Sequence, residues 1–135
     1  MKFLFRVLVM AMVLFIFSFY VSAHGMMDWK VPEKAKKIKN PVRSDDEKSI
    51  SRGKELYKVN CLLCHGEKGD GKGPLSADLK VKPGNFTDKQ MMQMMTDGEI
   101  FYKISKGKDP MPAWGDKLKE NERWDLVNYI KTFAK

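Results

Sequence analysis

The chain of 135 residues has only two cysteines, Cys61 and Cys64, and two histidines, His24 and His65. A bridge between the thiols would enclose just Leu62 and Leu63 and constrain almost none of the unfolded chain, which excludes a structural disulfide framework. After residue 23 no second long apolar run occurs, so no further membrane crossing is expected. No alternating Val, Ile and Thr pattern follows either, and there is no internal repeat. The remaining length leaves room for one small helical domain and too little for a large catalytic core beside a second domain.

The apolar residues, 43% of the chain, are concentrated at its start. Phe3 to Val21 is almost unbroken Phe, Leu, Val, Ile and Met behind Lys2 and Arg6, and it ends in Val21-Ser22-Ala23. This is the pattern of a secretory signal over residues 1–23, cleaved before His24. An uncleaved anchor is the alternative, because Val7 to Ala23 lies at the short edge of what spans a bilayer. In both cases the rest of the chain faces an extracytoplasmic space, expected to be the periplasm.

Charge also divides along the sequence, whose net is +8. Residues 24–43 carry Lys30, Lys34, Lys36, Lys37, Lys39 and Arg43 against Asp28 and Glu33. They read as a basic, flexible, solvated arm ahead of a domain at residues 44–135. An exported chain with no basic face interleaved with aromatics is not expected to bind nucleic acid.

Four helices are expected in that domain. Ser44 with Glu47 three residues on gives a capping-box start for a helix ending near Asn60. Ile50, Gly53 and Tyr57 share its inward face, and Lys48, Arg52 and Lys58 are left to water. Gly66 to Gly84 is a loop rich in glycine and proline. Short helices follow over 87–95 and from Asp97 to near Gly107, with Met91, Met94, Met95, Ile100, Phe101 and Ile104 on their apolar faces. Lys108-Asp109-Pro110-Met111-Pro112 cannot be helical. A last helix over 121–133 places Leu126, Tyr129, Ile130 and Phe133 in one stripe. Roughly 90 residues arranged in this way bury too little surface for comfortable stability, so a large apolar cofactor is expected in the middle.

Cys61-Leu62-Leu63-Cys64-His65 supplies the means to hold one, being the Cys-x-x-Cys-His pattern of covalent haem c attachment. On a helical turn, positions i and i+3 rise about 4.5 Å along one face, so both sulfurs reach one edge of a porphyrin. His65 then projects at the iron as a borderline ligand suited to either oxidation state. A dithiol redox pair would expect a preceding strand and a thioredoxin-like pattern, whereas a helix precedes Cys61. A zinc site would need four ligands and would have to recruit His24, which reads as a bystander.

Gly53-x-x-Leu56-Tyr57-x-x-x-Cys61-x-x-Cys64-His65-Gly66 resembles the opening of small bacterial class I cytochromes c. Asp97-Gly98-Glu99, Met111-Pro112 and Trp124-x-x-Val127-x-Tyr129-Ile130 are similar to that family's second half. The resemblance covers about residues 45–133 and implies an all-α class I cytochrome c fold, with four short helices around one covalently bound haem. It also implies that the first and last helices cross, with Gly53 under Tyr129. In the family a methionine on a later loop binds the other face of the iron, and Met111 matches it. Flanking Pro110 and Pro112 would keep this weak, neutral thioether on the metal. Met91, Met92, Met94 and Met95 read instead as core filling. The resemblance further implies that the Pro74 carbonyl accepts a hydrogen bond from the second nitrogen of His65.

The expected function is one-electron transfer between extracytoplasmic or membrane-bound partners in a respiratory chain. His65 and Met111 would be the axial ligands, and no residue would be catalytic. The carrier is expected to be a monomer. Lys103, Lys106, Lys108, Lys117 and Lys119 against Asp109 and Asp116 suggest a basic rim that steers an acidic redox partner. The alternatives are an electron-transfer subunit of a larger oxidoreductase complex, or a haem peroxidase or gas sensor with a displaceable sixth ligand.

Overall fold

Two helices at opposite ends of the domain carry its architecture, and a glycine on one lets them meet. The computed structural model describes residues 29–135, and Val31–Lys135 form one compact unit. The apolar leader, the cleavage site and residues 24–28 lie outside the described residues. The helices are α1 (Glu33–Lys36), α2 (Glu47–Asn60), α3 (Leu62–His65), α4 (Lys89–Met94), α5 (Asp97–Lys106) and α6 (Glu120–Thr132). Among the described residues no strand forms, and Lys108 and Met111 make an isolated antiparallel bridge. The fold is all-α; α1 and α3, one turn each, join the four expected helices.

Most helix ends follow side-chain chemistry, and one capping residue differs from the sequence reading. The cap of α2 is Asp46, whose Oδ1 accepts from Ser49 N at 2.6 Å, and not Ser44. A turn in which Asp46 N donates to Arg43 O, braced by an Arg43–Asp45 pair, delays the helix start. Thr96 caps α5 by accepting from Glu99 N at 3.1 Å, and Gly107 ends it at φ +60°. The α6 cap position is Lys119, which has no acceptor of its own; Glu122 Oε2 accepts from its N–H at 2.7 Å.

The largest helix–helix contact is α2 on α6. A Cβ on Gly53 would stand 2.7 Å from the Asp125 carbonyl carbon and 2.8 Å from Tyr129 Cβ, so only glycine permits this approach. Trp124 to Asn128 are all buried, and so is Ile130, while Tyr129 is half-buried. The single stripe expected for α6 is thus a helix enclosed nearly all round. Of its polar groups, the Asp125 and Asn128 side chains are hydrogen-bonded within the core, as burial requires, whereas Arg123 Nε and Trp124 Nε1 are buried without a partner. Asp125, 1% exposed, accepts from Ser49 Oγ at 2.6 Å and from the Arg52 guanidinium at 2.7 and 2.9 Å. Arg52 is exposed to water, as expected, while its guanidinium also reaches across the helix crossing to Asp125.

The basic arm differs most from expectation. Val31 and Ala35 are buried, α1 packs on α5, and Asn40 Nδ2 donates to Asn128 Oδ1 at 2.8 Å. Residues 31–43 are therefore a strap on the domain, because apolar positions at Val31 and Ala35 give the basic segment one inward side. In α4 the inward residue is Met92, with Met91 and Met95 half-buried beside it; Met94, expected inside, is 66% exposed. Helical spacing puts positions 91, 92 and 95 on one face and position 94 outside it.

Candidate functional site

The chain leaves α2 through Cys61, whose φ of −123° breaks the helix and whose N–H still donates to Tyr57 O at 2.8 Å. The Cys61 carbonyl then accepts from Cys64 N at 3.2 Å and His65 N at 2.9 Å, which places both cysteines and the histidine on one turn. Gly66 at φ +82° ends the turn, and Tyr57 Oη donates to its carbonyl at 2.8 Å. The following loop is pressed against this turn: Gly73 N donates to Cys64 O at 3.1 Å and Leu75 N to Leu63 O at 2.9 Å. A Cβ on Gly73 would lie 2.6 Å from Leu62 O.

Cys61 and Cys64 are free thiols. Burial, then the neighbouring Cys64, pushes the Cys61 thiol up to about 12. That is opposite in direction to the acidified thiol of a dithiol oxidoreductase. Among the described residues no group of three or more His, Cys, Asp or Glu side chains converges to hold a metal ion, so His65 does not join the two sulfurs in a zinc-like cage.

The imidazole is held from the opposite side of the loop. His65 Nδ1 lies 3.3 Å from the Gly84 carbonyl oxygen. Burial lowers the His65 pKa, against the smaller opposing effect of that carbonyl. Pro74, expected to supply this contact, is exposed on the turn after Gly73. The correction has a local cause. Gly71 at φ +76° lets the Pro83-Gly84 backbone approach, to where a Cβ on Gly71 would be 2.6 Å from Pro83 O. Phe86 stacks on the imidazole with ring centres 4.6 Å apart. It leads to a cluster of Phe133, Tyr57 and Tyr129. The sequence reading placed Pro83 and Gly84 in the loop rich in glycine and proline, and neither that loop nor Phe86 specifies a partner by spacing.

Met111 lies on the loop after α5, half-buried against the hydrophobic core against which Phe86 also packs. Its N–H donates to Lys108 O at 2.8 Å, and Lys108 N donates to its carbonyl at 3.0 Å. Beyond it, Trp114 N and Gly115 N donate to Ile104 O and Ser105 O at 3.1 and 2.9 Å, fastening the loop to the end of α5. Of the other methionines near the core, Met95 has Lys103 Nζ 3.4 Å from its sulfur.

These residues fit a covalently held haem: two unpaired thiols share one turn, and an imidazole on the same turn is fixed through Nδ1. The family described as cytochrome C oxidase, cbb3-type, subunit III matches residues 48–130, most of the domain. The chain is similar to cytochrome c6 of Alaria esculenta, 28% identical over 83 residues that make up 62% of this chain and 90% of that one. It is also similar to the cbb3-type cytochrome c oxidase subunit FixP of Azorhizobium caulinodans, 31% identical over 90 residues, 66% of this chain and 29% of that protein. Among solved structures, a chain of the Kuenenia stuttgartiensis reducing HAO-like protein complex superposes with a TM-score of 0.62 at 26% identity. The match covers 81% of this chain and 54% of that one, so this chain spans about half the length of that solved relative.

Fold, attachment turn and relatives together define a small monohaem class I c-type cytochrome, an electron carrier with one haem c held covalently by Cys61 and Cys64. The chain belongs to the cytochrome C oxidase, cbb3-type, subunit III family.

Proposed function

We propose that this cytochrome shuttles single electrons between redox partners on the periplasmic side of a respiratory membrane, with His65 and Met111 as its axial ligands. The observation that carries the reading is the Cys61–His65 turn with its Nδ1 contact to Gly84. With the proton on Nδ1 and donated to that carbonyl, the imidazole lone pair is on Nε2, the nitrogen an iron would take. When bound, the haem supplies the one-electron couple of its iron.

The chain's own residues keep that couple in place and dry. Cys61 and Cys64 hold the group to the backbone, and Phe86 covers one face of the His65 ring. The paired backbone of Lys108 and Met111 and the Trp114 and Gly115 anchors hold the methionine loop. A neutral thioether on that loop favours the reduced metal more than a second imidazole would. No residue is asked to bind a substrate.

Absorption spectra test the assignment. Wild-type protein is expected to show a low-spin haem c with a sulfur-to-iron band, and Met111→Ala to lose the band. Survival of the band in that variant would move the ligand to another methionine.

A second reading, as the electron-transfer subunit of a larger complex, is supported by the membership of FixP in an oxidase and of the solved relative in an HAO-like complex. Purification from native membranes, alone or with companions, separates the two.

A further inference from the structure

We infer that residues 31–43 are a strap that positions the Met111 loop through α5, with Asn40 and Gly98 as the positioning residues. The inference rests on Met111 being the second axial ligand. At one end the strap lies directly on the first turn of α5. Thr96 Oγ1 accepts from Glu99 N at 3.1 Å while it donates to Lys36 O at 2.8 Å, so the cap of α5 is also a fastening for the strap. A Cβ on Gly98 would stand 2.7 Å from Ile38 O and closer still to Ala35 O, and glycine alone lets two backbones meet here.

At its other end the strap is latched to α6. Asn40 Nδ2 donates to Asn128 Oδ1 at 2.8 Å, and Asn128 Nδ2 donates to Ser49 Oγ at 2.9 Å and Arg43 O at 3.0 Å. Asn128 is fully buried, so losing Asn40 leaves a buried amide oxygen without its partner.

Between strap and methionine runs α5, ten residues forming a rod about 15 Å long. Its last carbonyls, on Ile104 and Ser105, accept the N–H groups of Trp114 and Gly115 just beyond Met111. Clamping the first turn of the rod therefore limits how far its other end, with the loop, can swing. A thioether bound to metal is a weak neutral ligand, so a small swing is enough to release it.

The test uses the ferric holoprotein and reads two signals, the sulfur-to-iron band and the affinity for added imidazole. Asn40→Ala and Gly98→Ala are each expected to weaken the band and raise apparent imidazole affinity about tenfold, since that affinity scales with the fraction of molecules in which the methionine is detached. Val127→Ala, which removes fully buried core packing and touches no strap hydrogen bond, is expected to leave imidazole affinity as in wild type. Unchanged affinity in both strap variants, or an equal rise in Val127→Ala, overturns the inference. Met111→Ala in the same series keeps the failures apart. A band that survives it overturns the ligand assignment, and a band lost there but intact in both strap variants overturns the strap alone.

Discussion

Tyr57 illustrates how much a single side chain does at the attachment turn. Its ring is 1% exposed, it packs edge-on to Tyr129 at 5.3 Å, and its hydroxyl donates to the carbonyl that ends the Cys61–His65 turn. Burial raises the pKa of that hydroxyl, so it remains a proton donor throughout the physiological range. Tyr57→Phe keeps the ring and deletes the donor, leaving the Gly66 carbonyl with the Gly69 N–H at 3.1 Å in place of two donors. The expected cost is about 1–2 kcal/mol, measured by denaturant unfolding of the holoprotein, with m unchanged. Helical spacing alone marked Tyr57 as inward, because i, i+3 and i+7 fall on one face. The hydroxyl's acceptor could not be read in the same way, since it depends on where Gly66 turns. The carbonyl facing His65 is a sharper case. The family resemblance led to Pro74, whereas the glycine geometry at Gly71 brings Gly84 instead.

Among the four main helices, α6 is the most constrained and the one whose N-cap residue makes no side-chain cap hydrogen bond. It crosses α2 at Gly53, is sealed by Asp125 and Asn128 on its polar positions, and starts at a lysine that offers no acceptor to the first turn. Lys119→Ser should supply the missing oxygen to a free N–H of that turn. The expected gain is about 1 kcal/mol, seen as a higher midpoint in thermal unfolding. The four main helices were legible within a few residues because capping, glycine and proline signals act locally. The α6 interior was not, since Asp125 and Asn128 are residues that sequence reasoning assigns to water. They are buried because Ser49, Arg52 and Asn40, more than seventy positions away in the chain, arrive to satisfy them. The strap escaped notice for the same reason: its lysines outnumber the two apolar residues that dock it.

For the molecule as a whole, charge around the methionine loop bears on how it meets a partner. Lys106, Lys108, Lys117 and Lys119 are exposed there beside exposed Asp109 and Asp116, whereas Lys103 is engaged by Glu99 at 2.9 Å. The rim is therefore smaller than the sequence suggested, though still basic. Electron transfer to an acidic partner should slow about tenfold between low and high salt as screening removes the steering, measured by stopped-flow over a range of ionic strength. The amino-acid order by itself determined the attachment turn and the helical character of the domain, because each depends on residues within a turn or two, while the glycine at the helix crossing came from the family resemblance. Tertiary structure alone decided which carbonyl orients His65, why a carboxylate can sit in the core, and that a basic segment lies down on α5. Those outcomes need groups 19 to 88 residues apart to arrive within hydrogen-bonding distance, which local spacing does not encode.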